Sequence, residues 1–198
     1  MRYDVVLAGV GGQGVLSMAA IIGNAASAEG LFVKLSEVHG MAQRGGAVHS
    51  HLRLSDLRIE SDLISQGTAN LILGMEPVES LRHLEYLSPS GTLVTASTPL
   101  VNIPDYPELA DVLERIRRLP HAIVIDAEKL AAEAGDPLAM NSVMVGAAAH
   151  LLPLKGESVA AAVAETFARK GSLALAVNRA AFQAGRAAAD HAGAAASR

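Results

Sequence analysis

An apolar run, Val5-Val6-Leu7-Ala8, passes straight into Gly9-Val10-Gly11-Gly12-Gln13-Gly14, and a helical pattern begins at once. Few chain segments are so restrictive. A continuous apolar strand over 3–8 is the pattern of a strand buried on both faces of a parallel sheet. Residues 14–28 place Val15, Leu16, Ala19, Ile22 and Ala26 at helical spacing, and Gly30 is a fitting helix stop. The six-residue link satisfies G-x-G-x-x-G in the context that gives the motif meaning, with a strand before it and a helix after it. Glycines there permit a tight turn, bring backbone N–H groups near an anion and aim a helix N-terminus at it.

The rest of the chain alternates in the same way. LFVKLS (31–36) reads as a second strand ending at Glu37, followed by an irregular loop to Gly46. In the strand 48–54, Val48, Ser50, Leu52 and Leu54 share one face and His49, His51 and Arg53 the other. ANLILGM (69–75) precedes a helix over 77–87, with Pro77 in its first turn. Ser88-Pro89-Ser90-Gly91 reads as a turn into a strand over 91–97. A helix at 108–118 and a strand at 121–127 follow, and then helices at 128–134, 141–152, 157–169 and 172–190. The expected fold is α/β: one Rossmann-like, doubly wound and mostly parallel sheet with extra C-terminal helices, a single domain over 1–190. Residues 191–198 lack an apolar pattern and are expected to fray.

Composition narrows the function. A net charge of −4 argues against a nucleic-acid binder. The absence of cysteine excludes disulfides, cluster ligation and thiolate catalysis on this chain and suits a reducing cytoplasm. No apolar run has the length of a membrane helix, and a strand starts too early for a signal peptide.

By itself the glycine loop is an anion cradle with no chemistry beside it. Glu37 would complete a dinucleotide pattern by binding a ribose hydroxyl, although it lies beyond the usual spacing of about twenty residues. No acid/base set and no substrate domain follow. Three readings are therefore open: a subunit of a larger enzyme, a self-contained NAD(P)-binding dehydrogenase-like protein, and a non-catalytic interaction subunit.

Two glycine motifs together are more specific. Gly9-Val10-Gly11-Gly12-Gln13-Gly14 followed by Glu37-Val38-His39-Gly40-Met41-Ala42-Gln43-Arg44-Gly45-Gly46 resembles the gamma domain of 2-oxoacid:ferredoxin oxidoreductases, and most closely the beta subunit of the indolepyruvate enzymes. Arg53 with Ser55-Asp56, Ile59-x-Ser61, and Asn141 with Gly146 agree, and the resemblance spans roughly 3–185. It implies a small subunit, inactive alone, of an enzyme that oxidatively decarboxylates an aryl 2-oxoacid and forms an acyl-CoA. Thiamine diphosphate and 4Fe-4S clusters would sit on a large partner subunit that passes electrons to ferredoxin. It also implies a possible CoA phosphate cradle at Gly9, Gly11, Gly12, Gln13 and Gly14. Glu37, His39, Gly40, Met41, Gln43, Arg44, Gly45 and Gly46 would form an active-site or interface loop.

Other candidates have plain alternatives. Arg44 between flexible glycines could clamp a phosphate or carboxylate, or pair with Glu37 or the partner. His49-x-His51 has metal-ligand spacing with His39 as a third donor, but an interface or solvent role is expected and no metal is assigned. Asn141 is either an N-cap or a ligand contact. Glu76 stands on the ligand side of the strand 69–75, or simply enters a helix. The alanine-rich C-terminal helices read as packing against a partner.

Overall fold

A computed structural model describes residues 1–39 and 45–196, without the side chains of residues 39 and 193–196. β1 (Arg2–Val10) enters the glycine turn, which delivers the chain to α1 (Val15–Ala28). Gly14, at φ +76°, is the N-cap, in a region where any other residue is strained. Gly30, at φ +80°, ends α1 in a Schellman motif: its N–H donates to Ser27 O at 3.0 Å and that of Leu31 to Ala26 O at 3.0 Å.

Next come β2 (Phe32–His39), β3 (Ala47–Ser55), β4 (Ala69–Gly74), α2 (Pro77–Arg82), β5 (Leu87–Ala96), α3 (Leu109–Arg117) and β6 (Ala122–Ile125). The chain ends with α4 (Ala127–Glu133), α5 (Met140–Ala148), α6 (Gly156–Ala168) and α7 (Ser172–Ala196). One sheet orders its strands β2-β3-β1-β4-β5-β6. β3 is antiparallel to both neighbours, and the remaining pairings are parallel. The doubly wound, mostly parallel expectation therefore holds, with one local difference. The hairpin β2–β3 folds back on itself and inserts β3 between β1 and β2, so β2 becomes an edge strand.

Alternation along the strands sorts the core into two layers. Val5, Leu7, Leu52, Leu54, Leu71 and Leu73 face α1 and the helices after β6. Val6, Ile72 and Leu93 face the other way, toward Val112 and Ile116 of α3. The carboxyl ends of β1, β4, β5 and β6 converge on the glycine turn, where open α/β sheets place ligands.

Three boundaries move from the sequence reading for identifiable reasons. The helix expected over 77–87 stops at Arg82 and gives way to a 3-10 turn at Leu84–Tyr86. Leu87 is already needed in the sheet, where it pairs with Ala69, and β5 accommodates Ser88-Pro89-Ser90-Gly91 through a register irregularity in place of a turn. Gly91 permits this, since a Cβ there would lie 2.7 Å from the Ala69 carbonyl oxygen. At the C-terminus, α7 continues through Ala196, past the last apolar repeat.

The C-terminal helices pack on one another within the chain. α7 packs on α5 so closely that Phe182, Ala181 and Ala189 are fully buried. Gly146 and Gly185 make this approach possible, each facing the backbone of the other helix.

Candidate functional site

The two glycine motifs touch. The Gly11 amide donates to Gly46 O at 2.8 Å, and the Gly45 amide donates to Gly11 O at 3.2 Å. The second motif thus lies alongside the first because the hairpin register sets Gly9 beside Val48 and Val10 beside Ala47. Asn102, from the connector after β5, donates from Nδ2 to Gly45 O at 3.1 Å and ties a third segment to the pair.

Within the first motif the glycines divide their work. Gly9 is a packing residue: a Cβ would stand 2.8 Å from the Val15 side chain. Gly11 spends both backbone groups on the second motif. Gln13 is engaged at both ends of its amide, accepting from Val10 N at 2.8 Å and donating to Met75 O at 3.2 Å. It clips β1 to the end of β4. Gly12, at φ +104°, has no atom within 4 Å of where a Cβ would stand, so its side is open. Among the described residues, the amides of Gly12, Gly14, Val15 and Leu16 have no acceptor. These four N–H groups stand at the start of a fourteen-residue helix with no acidic residue in its first turn, the arrangement that suits an anion.

That surface opens on two cavities. One, of about 450 Å³, is walled by Val10, Val15, Leu16 and Val48 and has Glu37 at its rim. Glu37 therefore does reach the glycine loop, although from a strand one place farther out than a dinucleotide fold would use. The other cavity, of about 300 Å³, lies across the loop between Met75, Thr98–Leu100, Leu138 and Asn141. Among the described residues no cation lines either cavity, and Glu37 and Glu128 are the charged groups present. Gly40, Met41, Gln43 and Arg44, with the His39 side chain, fall outside the described residues.

Asn141 lines the second cavity but is not a helix cap. Ala139 is the N-cap of α5, and Asp136 caps the preceding turn by accepting from Leu138 N at 2.9 Å. Asn141 instead donates from Nδ2 to Gly14 O at 3.2 Å and braces the loop from across the fold. Glu76 is a helix entry: Oε2 accepts from Glu79 N at 2.7 Å, and Oε1 accepts from the Tyr106 hydroxyl.

Arg53 leaves the site altogether. Its Nε donates to Asp4 Oδ1 at 3.0 Å, and NH1 to the Ser61 and Leu63 carbonyls at 2.8 and 2.7 Å. It sits five residues along β3 from Val48, about 17 Å at strand spacing, at the opposite end of the sheet. The resemblance of Arg53, Ser55 and Ser61 to family positions is thus explained by folding, since together they anchor the 56–64 loop. An isolated Asp4 inside an apolar strand was the signal for this buried pair.

His49 and His51 acquire a third imidazole, but it is His83, at the end of α2, with its ring centroid 4.4 Å from that of His49. Tyr86 closes the cluster at 5.0 Å from His51. Among the described residues no group of three metal-type donors is arranged to hold an ion. His51 Nδ1 accepts from Ile64 N at 2.9 Å, so this ring is neutral. Burial pushes the His83 imidazole down to about 4 from its usual 6.5, helped by the neighbouring His49, and burial lowers His49 and His51 as well. A histidine held neutral binds its proton more readily in the unfolded chain. Stability should consequently fall as pH drops from about 6.5 toward about 4 and be fully present above that window. Urea denaturation across this range should show the slope, and His83→Gln should reduce it.

Strand order and two-layer packing define a Rossmann-like α/β domain, with an amide-lined glycine turn at the N-terminus of its first helix. Residues 4–188 match the family described as pyruvate ferredoxin/flavodoxin oxidoreductase, and the chain belongs to that family. It is 39% identical to indolepyruvate oxidoreductase subunit IorB of Archaeoglobus fulgidus, covering 86% of this chain and 88% of that protein. It is 27% identical to 2-oxoglutarate synthase subunit KorC of Methanothermobacter marburgensis, over 74% and 76%. The gamma subunit of a keto/oxoacid ferredoxin oxidoreductase from Geobacter sulfurreducens shares the fold, with TM-score 0.72 at 23% identity and coverage of 96% and 99%. A 2-oxoglutarate:ferredoxin oxidoreductase from Magnetococcus marinus, solved with coenzyme A and succinyl-CoA bound, superposes with TM-score 0.75 at 20% identity. This protein covers only 31% of that longer chain. The match is therefore to small, gamma-type subunits of 2-oxoacid:ferredoxin oxidoreductases. Among the described residues no helix is long and apolar enough to cross a membrane.

Proposed function

We propose that this protein is the small subunit of a cytoplasmic, thiamine-diphosphate-dependent 2-oxoacid:ferredoxin oxidoreductase of the indolepyruvate type. In this reading a large partner subunit carries thiamine diphosphate and the 4Fe-4S clusters and hands electrons to ferredoxin. The small subunit completes the active centre and holds coenzyme A by its phosphates. The observation that carries the CoA assignment is the set of amides of Gly12, Gly14, Val15 and Leu16, without a partner among the described residues, facing a cavity with an open Gly12 side. Phosphate oxygens are the acceptors such a surface fits, and Glu37 at the rim suits ribose hydroxyls in the same molecule. The indolepyruvate preference is supported by the 39% identity to an IorB subunit.

The residues of this chain bind and orient. The N-terminus of α1 supplies partial positive charge to the phosphates, Asn141 fixes Gly14 from behind, and Gln13 holds the loop to β4. Decarboxylation and electron transfer depend on groups this chain lacks, since it has no cysteine and no thiamine-type Gly-Asp-Gly. Against a self-contained dehydrogenase stands the antiparallel β3, which separates Glu37's strand from β1.

Gly12→Asp tests the assignment in the assembled enzyme. A carboxylate at the open face adds charge repulsion to bulk, so the Michaelis constant for CoA should rise at least tenfold, with the 2-oxoacid constant little changed. Unchanged CoA dependence would remove the loop from the site, as a purely interactive role for this subunit requires.

A further inference from the structure

Among the described residues, β2 is the outer strand of the sheet and pairs on one side only, with β3. An eight-residue edge strand offers unpaired backbone groups that other chains can extend, and proteins normally blunt such edges with charge. This edge carries three exposed large apolar side chains: Phe32 at 52%, Leu35 at 43% and Val38 at 44% exposure. Phe32 and Val38 fall on the His51 face of the sheet and Leu35 on the α1 face, as their pairing with Ser55, His49 and Leu52 shows.

We propose that β2 pairs antiparallel with β2 of a second copy of this chain about a two-fold axis at Leu35, joining two sheets into one. In an antiparallel pair, side chains directly opposite share a face, so the axis of a symmetric pairing must pass through a residue. With the axis at Leu35, Leu35 meets Leu35 and each Phe32 meets Val38 of the second copy. Lys34 then meets Ser36, and Val33 meets Glu37. All three exposed apolar residues are matched to one another, and no like charges face each other.

Every neighbouring register fails on one of these counts. An axis at Lys34 stacks Lys34 on Lys34 and sets Phe32 against Ser36. At Ser36, Lys34 faces Val38 and Leu35 faces Glu37. At Glu37 two carboxylates coincide, and at Val33 Phe32 meets Lys34. Like charges directly opposite destabilise a strand pair, so the two ionic residues of β2 select against slippage. Lys34 is also drawn away from the edge, donating from Nζ to Glu60 O at 3.0 Å. The pairing is isologous and closes on itself. It sets Val33 of the second copy beside Glu37, at the rim of the glycine-loop cavity, so each copy adds a wall to the other's site.

Light scattering on the full chain should give twice the 20.4 kDa monomer mass, and Leu35→Lys should return it to the monomer with an unchanged circular dichroism spectrum. Register is read by single cysteines, which the cysteine-free sequence makes unambiguous. Under mild oxidation Leu35→Cys should cross-link into a dimer, whereas Lys34→Cys, Ser36→Cys and the loop variant Leu57→Cys should not. A 20.4 kDa particle for the unaltered chain overturns the proposal. So does a dimer that cross-links at position 34 or 36 in preference to 35, or one that survives Leu35→Lys.

Discussion

Arg53→Ala is expected to lower the free energy of unfolding by about 3–5 kcal/mol, the range for removing one partner of a buried ion pair. Asp4 is 2% exposed and Arg53 5% exposed. After the substitution Asp4 retains only Arg2, whose NH2 lies 2.7 Å from Oδ2 on the exposed side. The loss does not end there. The carbonyls of Ser61 and Leu63 lose the guanidinium, and Leu63 O keeps only a long bond from the Ser61 hydroxyl, so the 56–64 loop is released together with Ile64, which is buried and bonded to His51. The check is the urea midpoint at unchanged slope. A loss under about 1 kcal/mol would mean that water replaces the guanidinium freely, contrary to its burial. CoA dependence of the assembled enzyme should be unaffected, because the pair lies at the far end of β3 from the glycine loop.

The second large effect comes from two glycines whose replacement by alanine should favour an isolated helix by about 1 kcal/mol. In this fold the sign reverses. A Cβ at Gly185 would sit 1.9 Å from the Val143 carbonyl oxygen, and one at Gly146 would sit 2.1 Å from that of Phe182. Both obstacles are backbone, so no rotamer change relieves them and α5 must separate from α7. Each variant should lose about 3 kcal/mol, the upper end of the usual overpacking range. The double variant should lose less than the sum, since one separation serves both. Thermal unfolding measures all three. Because α5 also carries Asn141, the brace on Gly14, these variants should weaken CoA binding as well, whereas Arg53→Ala should not.

Much of the architecture was legible in the order of residues. Strand, glycine turn and helix were readable because each rests on local rules: a buried apolar run, positive φ at Gly14, and spacing along α1. Gly30 as a helix stop is of the same kind. The pairing of two glycine motifs pointed to the family before any contact between them was known. What misled was local reading of segments that long-range pairing controls. Ser88-Pro89-Ser90-Gly91 has turn chemistry, yet Ala69 recruits Leu87 to the sheet and the turn becomes bulged strand. Arg53 belongs to the family-like pattern and shares a strand face with His49 and His51, yet Asp4, forty-nine positions away in the chain, takes its charge.

Sequence alone determined the element types, the glycine turn and the absence of any thiol or cluster chemistry on this chain, because those follow from residue identity and near-neighbour sterics. Tertiary structure alone decided that β3 stands between β1 and β2, that Gly11 and Gln13 bond within the fold, and that among the described residues the amides of Gly12, Gly14, Val15 and Leu16 have no acceptor. The physical reason is that a backbone group's availability depends on every partner the fold brings within about 3 Å, and those partners come from segments far away along the chain.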